Sequence, residues 1–301
     1  MTSRSIPDLL TYIYVLVDDW YQAQGASYLK GKPGAKPAFS DSEVITLMVS
    51  MDFIPYPAET QFIEHIRSNY GALFPRLLTQ RQFNRRARAL RLLVEMFRRS
   101  LLDWLGAPRA LDFLLDAKPI PVVGYKRSKA HSDFAGSAAY GVCASRNLKY
   151  FGYKLVCLST LDGLPVVCEL VPANLDERKA AEAVLFALSH GRVFADKGFI
   201  GADWHADITA ATGTRIFTPR RRNQHDQNPP AFDRWLNGLR ERIEGAFHEL
   251  QNTGRHLEHL LAKTVLGLCT RVIAKLTSHA LRRLLRQVFG IDVQTFRIAA
   301  A

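Results

Sequence analysis

The sequence predicts a mixed α/β domain preceded by an all-helical N-terminal region, and three observations carry that prediction. Apolar residues recur at helical spacing through the first hundred positions. From Leu111 the period shortens to alternating or continuous apolar runs rich in Val, Ile, Phe and Tyr. The later runs are interleaved with helical patterns, as in a sheet covered by helices. At 301 residues the chain exceeds the usual size of one domain. The predicted divisions are a helical region over 1–107, an α/β domain over 108–255 and a helical extension over 256–301.

In the first region, "IPDLLTYIYVLVDDWYQ" has a helical apolar face, and "GKPGAKP" (31–37) is a breaker-rich connection. In "SDSE", Ser40 and Glu43 stand in capping-box relation, which starts a helix at Asp41. "TQRQFNRRARALRLLVEMFRRSLLDWLG" follows as one long helix or two, with an arginine-rich face. That face fits a helix-turn-helix reader on DNA. It equally fits an amphipathic helix whose arginines snorkel from its flank.

Five strand runs follow: "LDFLLDAKPIPVV", "YFGYKLVCLST", "LPVVCELVP", "RVFADKGF" and "TRIFTP". Asp162-Gly163 between the second and third is a hairpin signal, so the first three form an antiparallel meander. "DERKAAEAVLFALSHG" is a helix capped by Asp176 and stopped by Gly191, and "FDRWLNGLRERIEGAFHELQ" is a second.

Hydrophobic residues at 48% and charged residues at 23% exclude a disordered chain. The net charge of +12 points to a polyanionic partner, nucleic acid or an acidic membrane surface. Between Arg76 and Arg99 stand eight arginines and one glutamate, and Arg220, Arg221 and Arg222 form a run. The planar guanidinium fork suits paired phosphate oxygens, although a basic face also serves solubility. Cys143, Cys157, Cys168 and Cys269 make no C-x-x-C and read as reduced thiols. No run of 18 apolar residues exists, so no membrane span is expected and the expected compartment is the cytoplasm.

Asp116 in "LLDAK" and Asp196 in "VFADKG" each end an apolar run. An aspartate there is often a turn residue. A partly buried carboxylate instead needs a positive partner, either a lysine (Lys118 and Lys197 are near) or a divalent cation. Oxygen-only ligation suits Mg²⁺, and two such ions about 4 Å apart serve in-line phosphoryl displacement. On the second helix, Leu236, Leu239, Ile243, Phe247 and Leu250 form the buried stripe. Glu241 then points to solvent and Glu244 sits on the flank, one turn after Arg240. Glu244 is therefore the candidate third carboxylate, or merely the partner of Arg240 in a surface ion pair.

Asp116, "ADKGFIG" around Asp196, and "RERIEGAFHELQ" around Glu244 together resemble the DDE transposases of bacterial insertion sequences. The resemblance runs from about residue 110 to 255, and "VPANLDERKA" is similar to that family too. "SDSEVITL" is similar to the helical domain that precedes the catalytic core, so residues 1–107 are expected to bind DNA or direct assembly. The resemblance implies an RNase H-like fold: a mixed five-stranded sheet with flanking helices, Asp116 on the first strand, Asp196 on the fourth and Glu244 on a following helix. It also implies two Mg²⁺ or Mn²⁺ ions held by Asp116, Asp196 and Glu244. The implied partners are terminal inverted repeats and target DNA, bound by a homodimer on paired ends. Arg240, Arg220, Arg221, Arg222, Lys118, Lys197, Arg85 and Arg86 are the expected DNA contacts. Asn237 stands where the family carries a tyrosine and Gln251 where it carries a lysine.

The expected activity is cutting of the element's ends and joining of the freed 3′-OH to target DNA. A catalytically impaired, repressor-like remnant and a nuclease of the same fold without strand transfer are the alternatives. A tyrosine recombinase is set aside because no tyrosine follows Tyr153. "HELQN" is not a zinc motif, because Asn252 occupies the second ligand position.

Overall fold

A computed structural model describes residues 5–29, 37–54, 56, 58–143, 147–221 and 227–291, apart from the side chains of 240, 242–244, 246 and 247. In chain order the elements are α1 (Ile6–Ala23), α2 (Asp41–Ser50), α3 (Glu59–Tyr70) and α4 (Gln80–Trp104), then β1 (Asp112–Val123), β2 (Ala139–Cys143), β3 (Leu148–Thr160) and β4 (Pro165–Pro172). These are followed by α5 (Glu177–Leu185), β5 (Gly191–Ala195), α6 (Ala202–Thr212), β6 (Thr214–Phe217), α7 (Pro230–Asn252) and α8 (Val265–Phe289). The chain divides into a helical unit, Met1–Leu105 with Asn252–Ala301, and a sheet unit, Gly106–Gln251. The C-terminal helix, expected as an extension of its own, thus belongs with the N-terminal helices.

In the helical unit, three helices start at reciprocal caps. Ser5 caps α1 with Asp8, and Thr79 caps α4 with Gln82. At α2 the Glu43 amide donates to Ser40 Oγ (3.1 Å) and the Ser40 amide to Glu43 Oε2 (2.6 Å), as the sequence predicts. With neither Gly nor Pro between residues 80 and 104, α4 runs as one unbroken helix, so this segment forms no helix-turn-helix. Its apolar stripe includes Phe83, Leu90, Val94, Phe97 and Leu101, all buried. The helix α8 packs along α4 and against α2. Ser278 Oγ of α8 donates to the Val49 carbonyl at 2.7 Å. Beside it lies a buried ionic cluster: Asp52 accepts from the Arg255 amide (3.1 Å) and guanidinium (3.4 Å), and Lys275 Nζ is 3.8 Å away. Burial pushes the Lys275 ammonium down, and Asp52 opposes that shift. No helix among the described residues is long and apolar enough to cross a membrane. The breaker-rich residues 31–36 lie outside the described residues.

In the sheet unit the strand order is β2-β3-β1-β5-β6, with β4 also paired to β3. β1 is antiparallel to β3 and parallel to β5, and β5 is parallel to β6. The five predicted runs are β1, β3, β4, β5 and β6. They build the expected mixed sheet with flanking helices, an RNase H-like arrangement. The sixth strand, β2, shares one edge of β3 with β4. The β3–β4 hairpin turns at Asp162-Gly163, where Gly163 takes φ 87° and its amide donates to the Thr160 carbonyl at 2.8 Å. Gly191, expected to stop the preceding helix, instead opens β5, because α5 has already ended at Leu185.

Side chains alternate between the two faces of each strand. One face presents Leu115, Val156, Leu158 and Val193 to α5 and α6 residues such as Val184 and Ile208, forming the core. The other presents Phe194, stacked on Phe217 at 5.4 Å and met edge-on by Trp235 of α7 at 4.9 Å. Asp116 and Asp196 belong to this second face, over which α7 is anchored.

Candidate active site

Strand β5 stops where its sequence turns from "VFA" to "DKG". Its last pair with β1 is Leu115↔Ala195, so Asp116 and Asp196 are the residues that follow the end of the paired register on the two neighbouring strands. Asp116 is still held in the ladder with β3, opposite Cys157. Asp196 has left it and caps a short 3-10 turn, Lys197–Phe199, its carboxylate accepting from the Lys197 amide. Asp116 Oδ1 accepts from the Ala117 amide at 2.7 Å, and Lys118 Nζ lies 3.3 Å from Oδ2.

Burial is the main influence raising the Asp116 pKa. Lys118 and the Ala117 amide pull it down, and the neighbouring charge of Asp196 pushes it up. A carboxylate so placed favours a cation that would offset both burial and the second acid.

A third carboxylate that sequence reasoning missed belongs to this neighbourhood. Glu177, in the first turn of α5, has its pKa raised first by burial and then by Asp196 and Asp116, against the pull of Lys154. A β-carbon at position 198 would collide with Glu177 Oε2, so Gly198 leaves the room this carboxylate occupies. The glycine after Asp196-Lys197 therefore serves space, since its backbone φ is not in the left-handed region. The available signal was the "DERKA" segment, in which only Asp176 was read as chemically meaningful, as the cap it proves to be.

His205 of α6 braces the same turn, donating from Nε2 to the Phe199 carbonyl at 2.8 Å. Its pKa is lowered, first by burial and also by the positive charge of Arg220. That places Arg220 within electrostatic reach of the turn.

Of the other predicted residues, Lys197, Arg220 and Arg221 are exposed, and Lys118 is half-buried beside Asp116. Glu244 and Arg240 lie in α7, but their side chains, like residue Arg222, are outside the described residues. On α7, Leu236, Leu239 and Leu250 are buried and Glu241 is exposed, as the periodicity predicts. In the helical unit Arg85 is exposed, whereas Arg86 is committed to the Phe39 carbonyl and the Asp41 carboxylate.

Among the described residues no three His, Cys, Asp or Glu side chains converge as a cation site. The donors that do adjoin, Asp116 and Asp196, are oxygen donors that suit a hard divalent cation and supply part of a ligand set.

A mixed sheet with flanking helices, its first strand antiparallel to β3 and parallel to β5, defines an RNase H-like domain. The chain belongs to the transposase DDE domain family, whose model matches residues 106–264, just over half of its length and the whole of the sheet unit. That membership gives it a transposase-type function with DNA as substrate. No curated protein and no solved structure matches the chain.

Proposed function

We propose that the protein cuts the ends of a bacterial insertion sequence and joins the freed 3′-OH to target DNA. The observation that supports this reading is the Leu115↔Ala195 register, the last pair of β1 with β5, which is followed on each chain segment by an aspartate, Asp116 and Asp196. Asp116, Asp196 and Glu244 are the residues that would hold divalent magnesium or manganese, two ions in all. When bound there, the metal would supply a lowered water pKa and charge neutralisation at the phosphate. The reaction is two successive displacements at phosphorus. Water first breaks the phosphodiester at the element's end and leaves a 3′-OH; that hydroxyl then attacks a target phosphodiester and expels a new 3′-OH. No bond to the protein forms in either step.

Lys118 Nζ stands 3.3 Å from the Asp116 carboxylate, and the His205 contact holds the turn that follows Asp196. Arg220, Arg221, Arg222, Arg240 and Lys197 neutralise DNA backbone charge, as does Arg85 in the helical unit. A homodimer, one copy per paired end, would act on DNA in the cytoplasm. Asn237 and Gln251, in place of the family's tyrosine and lysine, favour a second reading in which strand transfer is weakened and a repressor-like role remains.

The test incubates the full chain with DNA bearing the element's own end, a target plasmid and Mg²⁺. The expected products are 3′-OH ends and joined strands. Cleavage without joining would establish the plain nuclease instead, and binding without cleavage the remnant.

A further inference from the structure

Beyond the carboxylates, the segment between β1 and β3 builds a second surface of distinct chemistry. Tyr140 of β2 stands opposite Phe151 of β3, with ring centroids 5.0 Å apart. Tyr125 meets Tyr140 edge-on at 5.5 Å. Phe151 is the buried floor, while Tyr125 is 47% and Tyr140 53% exposed. Lys129 Nζ lies 5.2 Å from the Tyr140 ring centroid and 5.5 Å from that of Phe151. The same ammonium donates to the carbonyls of Gly124 (3.2 Å), Tyr125 and Arg127. Its donors are thereby spent on the loop, so the two exposed rings are held in place before any ligand arrives.

The surroundings are basic. Lys126, Arg127 and Lys149 are exposed, and Asp133 is the one acidic residue in 124–143. The surface also shares a face with the active site. Asp116 is opposite Cys157 on β3, and alternation turns Cys157, Leu155, Tyr153 and Phe151 to the same side. Phe151 is six residues from Cys157, about 20 Å along the strand.

We propose that Tyr125 and Tyr140 form a stacking platform for unpaired bases of the DNA strand being processed, with the flanking lysines and Arg127 on its phosphates. Exposed aromatic rings amid cations are the recognition chemistry of single strands, whose bases offer free π-faces as duplex bases do not. The proposal rests on the DNA-processing reading above.

The test measures binding of the full chain to a single-stranded oligonucleotide of about 12 nucleotides carrying 2-aminopurine, and to the matching duplex, at fixed salt. Wild type quenches the probe on binding. Tyr125→Ala and Tyr140→Ala each weaken single-strand binding by about 5- to 100-fold and duplex binding by less than about twofold. Tyr125→Phe and Tyr140→Phe, which keep the rings, bind as wild type does. Unchanged single-strand affinity in the folded alanine variants overturns the platform, as does a phenylalanine variant that behaves like alanine. Equal loss on duplex also overturns it, in favour of backbone contact alone. Asp196→Asn keeps the stacking signal. Intact stacking in a chain that never cuts element ends would sink the proposed function and leave the platform standing.

Discussion

Asp116 and Asp196 each end an apolar run and so look alike in the sequence, yet β1 continues to Val123 and holds Asp116 within the strand, whereas Asp196 directly follows the end of β5; their relation comes from register. One residue of slippage between β1 and β5 would turn one of them to the opposite face. The two aspartates could be picked out of the sequence because apolar runs end at them. Glu177 could not, because it is one of many charges on a helix, and only the fold brings it to Gly198. Gly198→Ala is expected to push the Glu177 carboxylate, the far end of a flexible side chain, out of its place beside the turn. The rate of end cutting falls about 10- to 100-fold with the fold retained by circular dichroism. His205 gives a prediction in pH. Its folded-state pKa is lowered from 6.5, so it contributes stability that is complete above that value. As pH falls below 6.5 the unfolded chain takes up a proton that the folded one resists, and the contribution is lost. His205→Gln keeps an N–H donor and removes the titration, so its melting temperature declines less than wild type's between neutral and mildly acidic pH. His65, whose pKa is lowered in the same direction, remains in both proteins and cancels in the comparison.

Among the elements, those with strong local signals were legible: the Ser40 capping box, the Asp162-Gly163 hairpin and the three leucines of the α7 stripe that are described, Leu236, Leu239 and Leu250. Ser40→Ala is accordingly expected to cost about 0.5–2 kcal/mol, read as a lower urea midpoint with an unchanged slope. The strand β2 was not legible. Its five residues include a glycine and are only half-covered, so neither length nor alternation separates them from a loop. The arginine-rich helix shows the other difficulty. Its charge pattern suggested one uniform face, yet Arg86 ties α4 to the start of α2, and Arg98 is buried against Glu95 at 2.7 Å. Arg85 and Arg99 are left exposed, so residues alike in type serve the fold in one turn and face solvent in the next.

For the whole molecule, the net charge of +12 points to a polyanionic partner, nucleic acid or an acidic membrane surface, and the family match is what selects DNA. The grouping of the units was hidden, because nothing local says that α8 returns to pack on α4. The Asp52 cluster holds that return in place, with Arg255 and Lys275 on one buried carboxylate. Asp52→Ala strands those cations and is expected to cost about 3–5 kcal/mol, measured by chemical denaturation.

The central claim is that the paired aspartates of the sheet unit perform DNA strand chemistry, and Asp196→Asn tests it most directly. In Mg²⁺ with element-end DNA, cleavage should fall by about 10³-fold or more while duplex affinity stays as in wild type. Cleavage at the wild-type rate by that variant would contradict the account.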